Sequence, residues 1–149
     1  MSASIHACAI VVGERGVLIR GPSGAGKSLL SLAMIAQARL TGAFAALVAD
    51  DRVFLDVASG RLLARGAPGF EGLIESRGVG LLAMPHEPRA VLRMVVDLGA
   101  RGDTPPSWPA DDARHIEIQG VVLPRFALDL APGLQEGAYA ALRGLDRVA

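Results

Sequence analysis

Residues 21 to 28 read GPSGAGKS, placed directly after the apolar run VLIR and directly before KSLLSLAMIAQARL, a stretch of strong helix formers. The spacing fits G-x-x-x-x-G-K-[ST] through Gly21, Gly26, Lys27 and Ser28. A strand, a tight glycine loop and a helix in that order leave few architectures open. Backbone N–H groups of the loop and the N-terminus of the helix converge on one anion, and the helix must fold back onto the sheet that carries the strand. The pattern predicts an α/β domain in which Gly21, Pro22, Ser23, Gly24, Ala25, Gly26, Lys27 and Ser28 wrap a phosphate chain, with Lys27 on its β and γ phosphates and Ser28 on Mg²⁺. Lys27 is the one lysine of a chain whose other basic residues are all arginine. A compact ammonium on a flexible stem suits a phosphate in a tight loop better than a planar guanidinium. The competing reading is a glycine turn that only caps a helix.

The 149 residues, 51% hydrophobic, supply enough apolar material for one ordinary domain. Fifteen basic side chains balance fifteen acidic ones, so no broad field favours nucleic acid or an anionic membrane. The single cysteine, Cys8, excludes an internal disulfide and fits a reducing, cytoplasmic setting. The opening MSASIHACAIVVGERG lacks the basic leader of a signal peptide and the length of a membrane span, and reads as a strand.

Along the chain, IHACAIVV (5–12) and VLIR (17–20) flank GERG as a hairpin, and residues 27–40 form a helix that stops at Thr41-Gly42. AFAALVADD is a continuous apolar run ending in two carboxylates, as expected of a central strand. RVFLDV and RLLARG form a hairpin around ASG, RAVLRMVVDL is a further strand, and HIEIQGVVL and RFALDL are late strands before a helix over 134–147. Residues 99–113, rich in glycine, proline and acids, read as a mobile loop.

Asp50 and Asp51 close the strand LVADD. If that strand neighbours the one before the loop, a carboxylate arrives beside the γ-phosphate, where it can bind Mg²⁺ through water or take a proton from an attacking hydroxyl. The plainer reading is a solvated strand end paired with Arg52. In IESRGVG (74–80), Glu75 is a candidate metal ligand and Arg77 a candidate phosphate contact, while Gly78 and Gly80 suggest tight backbone passage. Taken alone, that segment reads as a surface salt-bridge pair. His86 and His115 lack any metal-ligating spacing and read as surface residues, and Cys8 as a small buried hydrophobe. Trp108 sits in the proline-rich loop.

In order, HACAIVVGERGVLIRGPSGAGKS, LVADDRV, LIESRGVGLL and LPRFALDL resemble the catalytic domain of the HPr kinase/phosphorylase family, and in particular its short form without the N-terminal domain. The resemblance implies a P-loop domain of the type shared with phosphoenolpyruvate carboxykinase, a mixed sheet with flanking helices, spanning the chain as one domain. It implies an ATP- and Mg²⁺-dependent serine kinase acting on the phosphocarrier protein HPr, able in some members to reverse the reaction by phosphorolysis, and assembled as a homo-oligomer. By the same resemblance residues 21–28 bind ATP, Asp50 is the carboxylate that takes the serine proton, His6 lies beside it, and Ser28 and Glu75 hold the metal, with Asp51 of the acidic pair a further metal candidate. Residues 75–80, with Arg77, Gly78 and Gly80, are the signature segment. The chain departs from the pattern at Leu29, where an acidic residue is usual, and in the loop that normally supplies an active-site arginine, for which Arg101 and Arg114 are unmatched candidates. These departures keep two further readings open: an ATP-binding regulatory module without turnover, and a P-loop ATPase or small-molecule kinase.

Overall fold

The computed structural model describes residues 3–99, 105 and 109–148. Strands β1 (Ala3–Val12) and β2 (Arg15–Arg20) form the opening hairpin, followed by helix α1 (Lys27–Leu40), β3 (Ala45–Ala49), the hairpin β4 (Arg52–Ala58) and β5 (Arg61–Gly66), the short hairpin β6 (Leu73–Ser76) and β7 (Gly80–Ala83), and β8 (Arg89–Leu98). A single 3₁₀ turn (Asp111–Arg114) leads into β9 (His115–Ile118), β10 (Val121–Leu128) and helix α2 (Leu134–Arg147).

The main sheet runs β2-β1-β4-β5-β8-β10-β9, and β2 also pairs with β8. That extra pairing closes β2, β1, β4, β5 and β8 into a ring. Alternation along β1 then decides what lies inside and outside. Ala7, Ala9 and Val11 join Leu18, Val53, Leu55, Leu62, Leu92 and Val95 in one buried cluster. Cys8, Ile10 and Val12 face the other way, into a second cluster with Leu30, Met34, Ile35, Met94, Val96 and residues of α2. Both faces of the sheet are therefore covered, which is why β2 and β3 read as unbroken apolar runs.

The long β1 serves two partners on one edge, pairing Ala3–His6 with β4 and then, across an irregularity at Ala9/Ile10, Ala9–Val12 with β3. The condition that LVADD neighbours the strand before the glycine loop is not met: β3 pairs with β1, and β1 separates it from β2. Asp50 nevertheless reaches the loop from the end of β3, accepting from Ser28 Oγ at 2.7 Å.

The segment HIEIQGVVL is not one strand. It breaks at Gln119-Gly120, both with positive φ (50° and 81°), into a hairpin turn. β10 then runs straight through Pro124, pairing antiparallel with β9 up to that residue and parallel with β8 from Arg125 onward. Proline is tolerated at this change of partner because its missing N–H falls where one ladder ends and the other begins. The expected loop over 99–113 lies largely outside the described residues, as do Arg101 and Trp108, but its last residues form the 3₁₀ turn.

β2, β8 and β10 are mutually parallel, so their C-terminal ends open on the same side. In open α/β sheets that rim is where ligands bind.

Candidate active site

The glycine loop starts at that rim, immediately after Arg20. Gly24 (φ 81°) and Gly26 (φ 105°) occupy the left-handed region, which turns the chain sharply into α1. Ala25 N–H donates to the Pro22 carbonyl at 3.1 Å, and Leu30 N–H donates to the Gly26 carbonyl at 2.8 Å to start the helix. Gly26 is the helix N-cap and provides no side-chain acceptor, so the first helical N–H groups point into the loop. Lys27 is buried, and its Nζ donates to the carbonyls of Gly21 (2.8 Å) and Pro22 (3.1 Å). Two of its three N–H donors thus hold the ammonium against the inner curve of the loop.

Asp50 and Asp51 have different surroundings. Asp50 accepts from Ser28 Oγ at 2.7 Å, from the Cys8 thiol at 3.0 Å and from the Glu75 backbone N–H at 3.0 Å. This half-buried carboxylate ties together β1, the glycine loop, the end of β3 and β6. Asp51 is the reverse case: exposed, with φ 69°, and bound by His6 Nε2 at 2.6 Å. Positive φ is uncommon outside glycine, though aspartate tolerates it, and here it swings the second carboxylate back to the side its neighbour already faces. On a regular strand the two would have pointed apart. The expected neighbour of His6 is therefore corrected from Asp50 to Asp51. Alternation along β1 places His6 and Cys8 on the same face, and the backbone turn at Asp51 supplies the partner for His6.

Cys8 is more than a packed hydrophobe. Its burial, together with the negative charge and hydrogen bond of Asp50, pushes the thiol pKa up to about 12. It is a neutral donor at physiological pH, not a nucleophile.

A cavity of about 760 Å³ lies in front of these groups. Its floor is Ser23 to Leu29, one wall carries His6, Cys8 and Asp51, and the β6–β7 hairpin contributes Glu75 and Arg77. Gly78 and Gly80, both with positive φ, form the tight turn that brings this hairpin round. The opposite wall is apolar: Leu98 at the end of β8, and Leu128, Leu130, Ala131 and Leu134 between β10 and α2. These wall residues carry no site signal in the sequence, since leucines between a strand and a helix look like core. Asp129 at the same wall accepts from Ala131 N–H in a local turn.

Among the described residues no group of three or more His, Cys, Asp and Glu side chains could hold a metal ion by itself. Ser28 and Asp50 nevertheless fit Mg²⁺. They offer a hydroxyl and a carboxylate side by side, and Mg²⁺ is commonly held by one or two protein oxygens, with substrate phosphates and water completing the shell. Of the expected metal side, Glu75 reaches Asp50 through its backbone N–H, and Asp51 is engaged by His6.

A mixed sheet, a glycine loop with Lys27 and Ser28 opening a helix, and carboxylates facing that loop define a P-loop nucleotide-binding domain. The family model described as HPr Serine kinase C-terminal domain matches residues 1–135, and the chain belongs to that family. Among curated relatives, the HPr kinase/phosphorylase of Cupriavidus metallidurans is 29% identical over 160 aligned positions, which cover 96% of this chain and 48% of the relative. That of Mycoplasma mycoides is 38% identical over 80 residues, covering 54% of this chain and 24% of the relative, and that of Neisseria meningitidis is 34% identical over 101, covering 62% and 30%. The chain thus spans half or less of the length of these relatives. The solved structure of the HPr(Ser) kinase/phosphatase from Coxiella burnetii superposes with a TM-score of 0.76 at 24% identity, covering 97% of this chain and 96% of that one, which establishes the fold. Among the described residues no helix is long and apolar enough to cross a membrane.

Proposed function

We propose that this chain is an ATP- and Mg²⁺-dependent protein serine kinase that transfers the γ-phosphoryl group to a serine of an HPr-type phosphocarrier protein. The observation that carries this reading is the pairing of a fixed phosphate loop with two carboxylates in distinct environments, one engaged by Ser28 and one exposed beside His6. The names of the curated relatives and the family membership support HPr as the acceptor. A free, buried Cys8 fits a cytoplasmic setting.

Lys27 and the loop N–H groups bind and orient the phosphates. Ser28 and Asp50 would hold Mg²⁺, which when bound would supply charge neutralisation for the phosphates. We read the division of labour within the acidic pair as the reverse of the one the family resemblance implies. Asp50 already accepts three hydrogen bonds and sits on the metal side, whereas Asp51 lines the cavity beside His6. Asp51 takes the proton of the acceptor serine as the Ser Oγ–P bond forms and the bond to the ADP oxygen breaks. His6 Nε2–H, donating to Asp51, orients that carboxylate. In the phosphorolytic direction the protonated Asp51 returns the proton to the serine oxygen as inorganic phosphate attacks. Positioning and charge neutralisation supply most of the acceleration, as expected where the protein does little covalent chemistry.

A macromolecular acceptor fits the rim of the cavity. Val79 and Leu81 are exposed on the same hairpin that carries Glu75 and Arg77, and Phe70 is exposed just before it. The same exposed residues suit the homo-oligomer implied by the family resemblance. Labelling of HPr with γ-³²P-ATP tests the reading: label on HPr that disappears with Lys27→Ala supports it. ATP hydrolysis without transfer to HPr would point to an ATPase or to another acceptor.

A further inference from the structure

Asp97, which does not line the cavity, accepts two hydrogen bonds from Arg20: Nε at 2.7 Å to one oxygen and Nη2 at 2.8 Å to the other. Arg125 Nε donates to the same carboxylate, and Arg125 Nη1 donates to the Ala113 carbonyl at 3.1 Å. The three side chains come from β8, β2 and β10, the parallel strands whose ends form the rim, and all are largely screened from solvent. Burial acts to raise the pKa of Asp97, but hydrogen bonds and charge from the two guanidiniums outweigh it and hold the carboxyl below its ordinary range.

The place of this triad in the fold gives it a consequence for the phosphate loop. Arg20↔Asp97 is the last rung of the β2–β8 ladder, and the next residue, Gly21, is where the chain leaves the sheet. The two strand ends are in close contact beyond that rung, since a Cβ on Gly21 would stand 2.8 Å from the Leu98 carbonyl oxygen. Gly21 and Pro22 then supply the two carbonyls that hold Lys27 Nζ. A bidentate guanidinium–carboxylate pair is the most geometrically restrictive ion pair available to side chains. It fixes the residue from which the Lys27 cradle departs.

We infer that Asp97 is a positioning residue that sets the ammonium of Lys27 for phosphate binding, acting through Arg20 and the Gly21 and Pro22 carbonyls. Through Arg125 it ties the same rim to the 3₁₀ turn at Ala113. The inference rests on the reading of the loop as an ATP site.

The test is the affinity for Mg-ATP, by titration calorimetry, of the unmodified chain, Asp97→Asn and Arg20→Lys, with the melting temperature of each. Arg20→Lys keeps the charge and removes the two-pronged contact, so it decides the matter if Asp97→Asn does not fold. Each folded variant is expected to bind Mg-ATP about tenfold more weakly, the scale of one charge-assisted hydrogen bond. In transfer assays the KM for ATP should rise while kcat stays within about twofold, because the reacting carboxylates are untouched. A purely structural triad would lower the melting temperature and leave affinity at the level of the unmodified chain, and that result overturns the inference. Failure of the unmodified chain to bind Mg-ATP would overturn instead the ATP reading beneath it.

Discussion

His6 Nε2 meets Asp51 Oδ1 at 2.6 Å across a separation of 45 residues, while the adjacent Asp50 turns to Ser28, Cys8 and the backbone of Glu75. Neighbouring carboxylates on one chain thus acquire separate environments from a single left-handed residue. This separation predicts that their removal has different effects. Asp51→Asn should lower phosphoryl transfer by about 10²- to 10⁴-fold with Mg-ATP affinity nearly unchanged, the range for loss of a general base. Asp50→Asn should raise the Mg²⁺ concentration needed for half-maximal rate by about tenfold, as loss of one charged contact implies. Rates measured across a Mg²⁺ titration separate the two, and full activity of Asp51→Asn would return the proton-accepting role to Asp50.

Gly26 cannot be replaced cheaply. Its φ of 105° is strained for any side chain, and an added Cβ would lie 2.9 Å from Leu130 Cδ1. Gly26→Ala should cost about 1–3 kcal/mol, the scale of one strained backbone position, and lower the melting temperature by several degrees. Calorimetry reads both quantities.

The Cys8 thiol should be silent in the native state and visible in the unfolded one. With its pKa raised from 9.0 to about 12, it resists iodoacetamide at pH 8 until the chain unfolds. The sign of the linkage follows from the direction of the shift. The folded state retains a proton that the unfolded state releases above pH 9, so this stabilisation is complete below pH 9 and is lost as pH rises toward 12. The slope is at most about 1.4 kcal/mol per pH unit. Cys8→Ser keeps a donor for Asp50 and removes the titration, so denaturant midpoints of the two proteins should diverge above pH 9.

α1 begins without a side-chain cap and without an acidic residue in its first turn, and Leu29 at its third position is 54% exposed. Leu29→Glu places a carboxylate at the positive end of the helix, where it should add about 0.3–1 kcal/mol. A higher denaturant midpoint at low salt, shrinking as salt is added, is the expected signature.

Much of this molecule was legible in its residues, for identifiable reasons. α1 and α2 carry the expected bounds of 27–40 and 134–147, because strong helix formers lie between clear stops. The loop was legible because glycine spacing and a lone lysine are local signals. The partner of β3, the ring closed by β2 and β8, and the pairing of His6 with Asp51 were not, because each depends on contacts remote in sequence. The left-handed conformation of Asp51, with φ 69°, has no signal in the sequence, because aspartate adopts it only where the surrounding fold requires it. The leucine wall and the Arg20–Asp97–Arg125 triad left no trace, since leucines read as core and scattered charges as surface.

The most direct test of the central claim is the intact mass of HPr from the same organism after incubation with this chain and Mg-ATP, followed by mapping of any added group. One phosphoryl group on a serine, absent with Lys27→Ala and with Asp51→Asn, is the predicted result. Unchanged HPr mass in the presence of a chain that binds Mg-ATP would contradict the kinase reading.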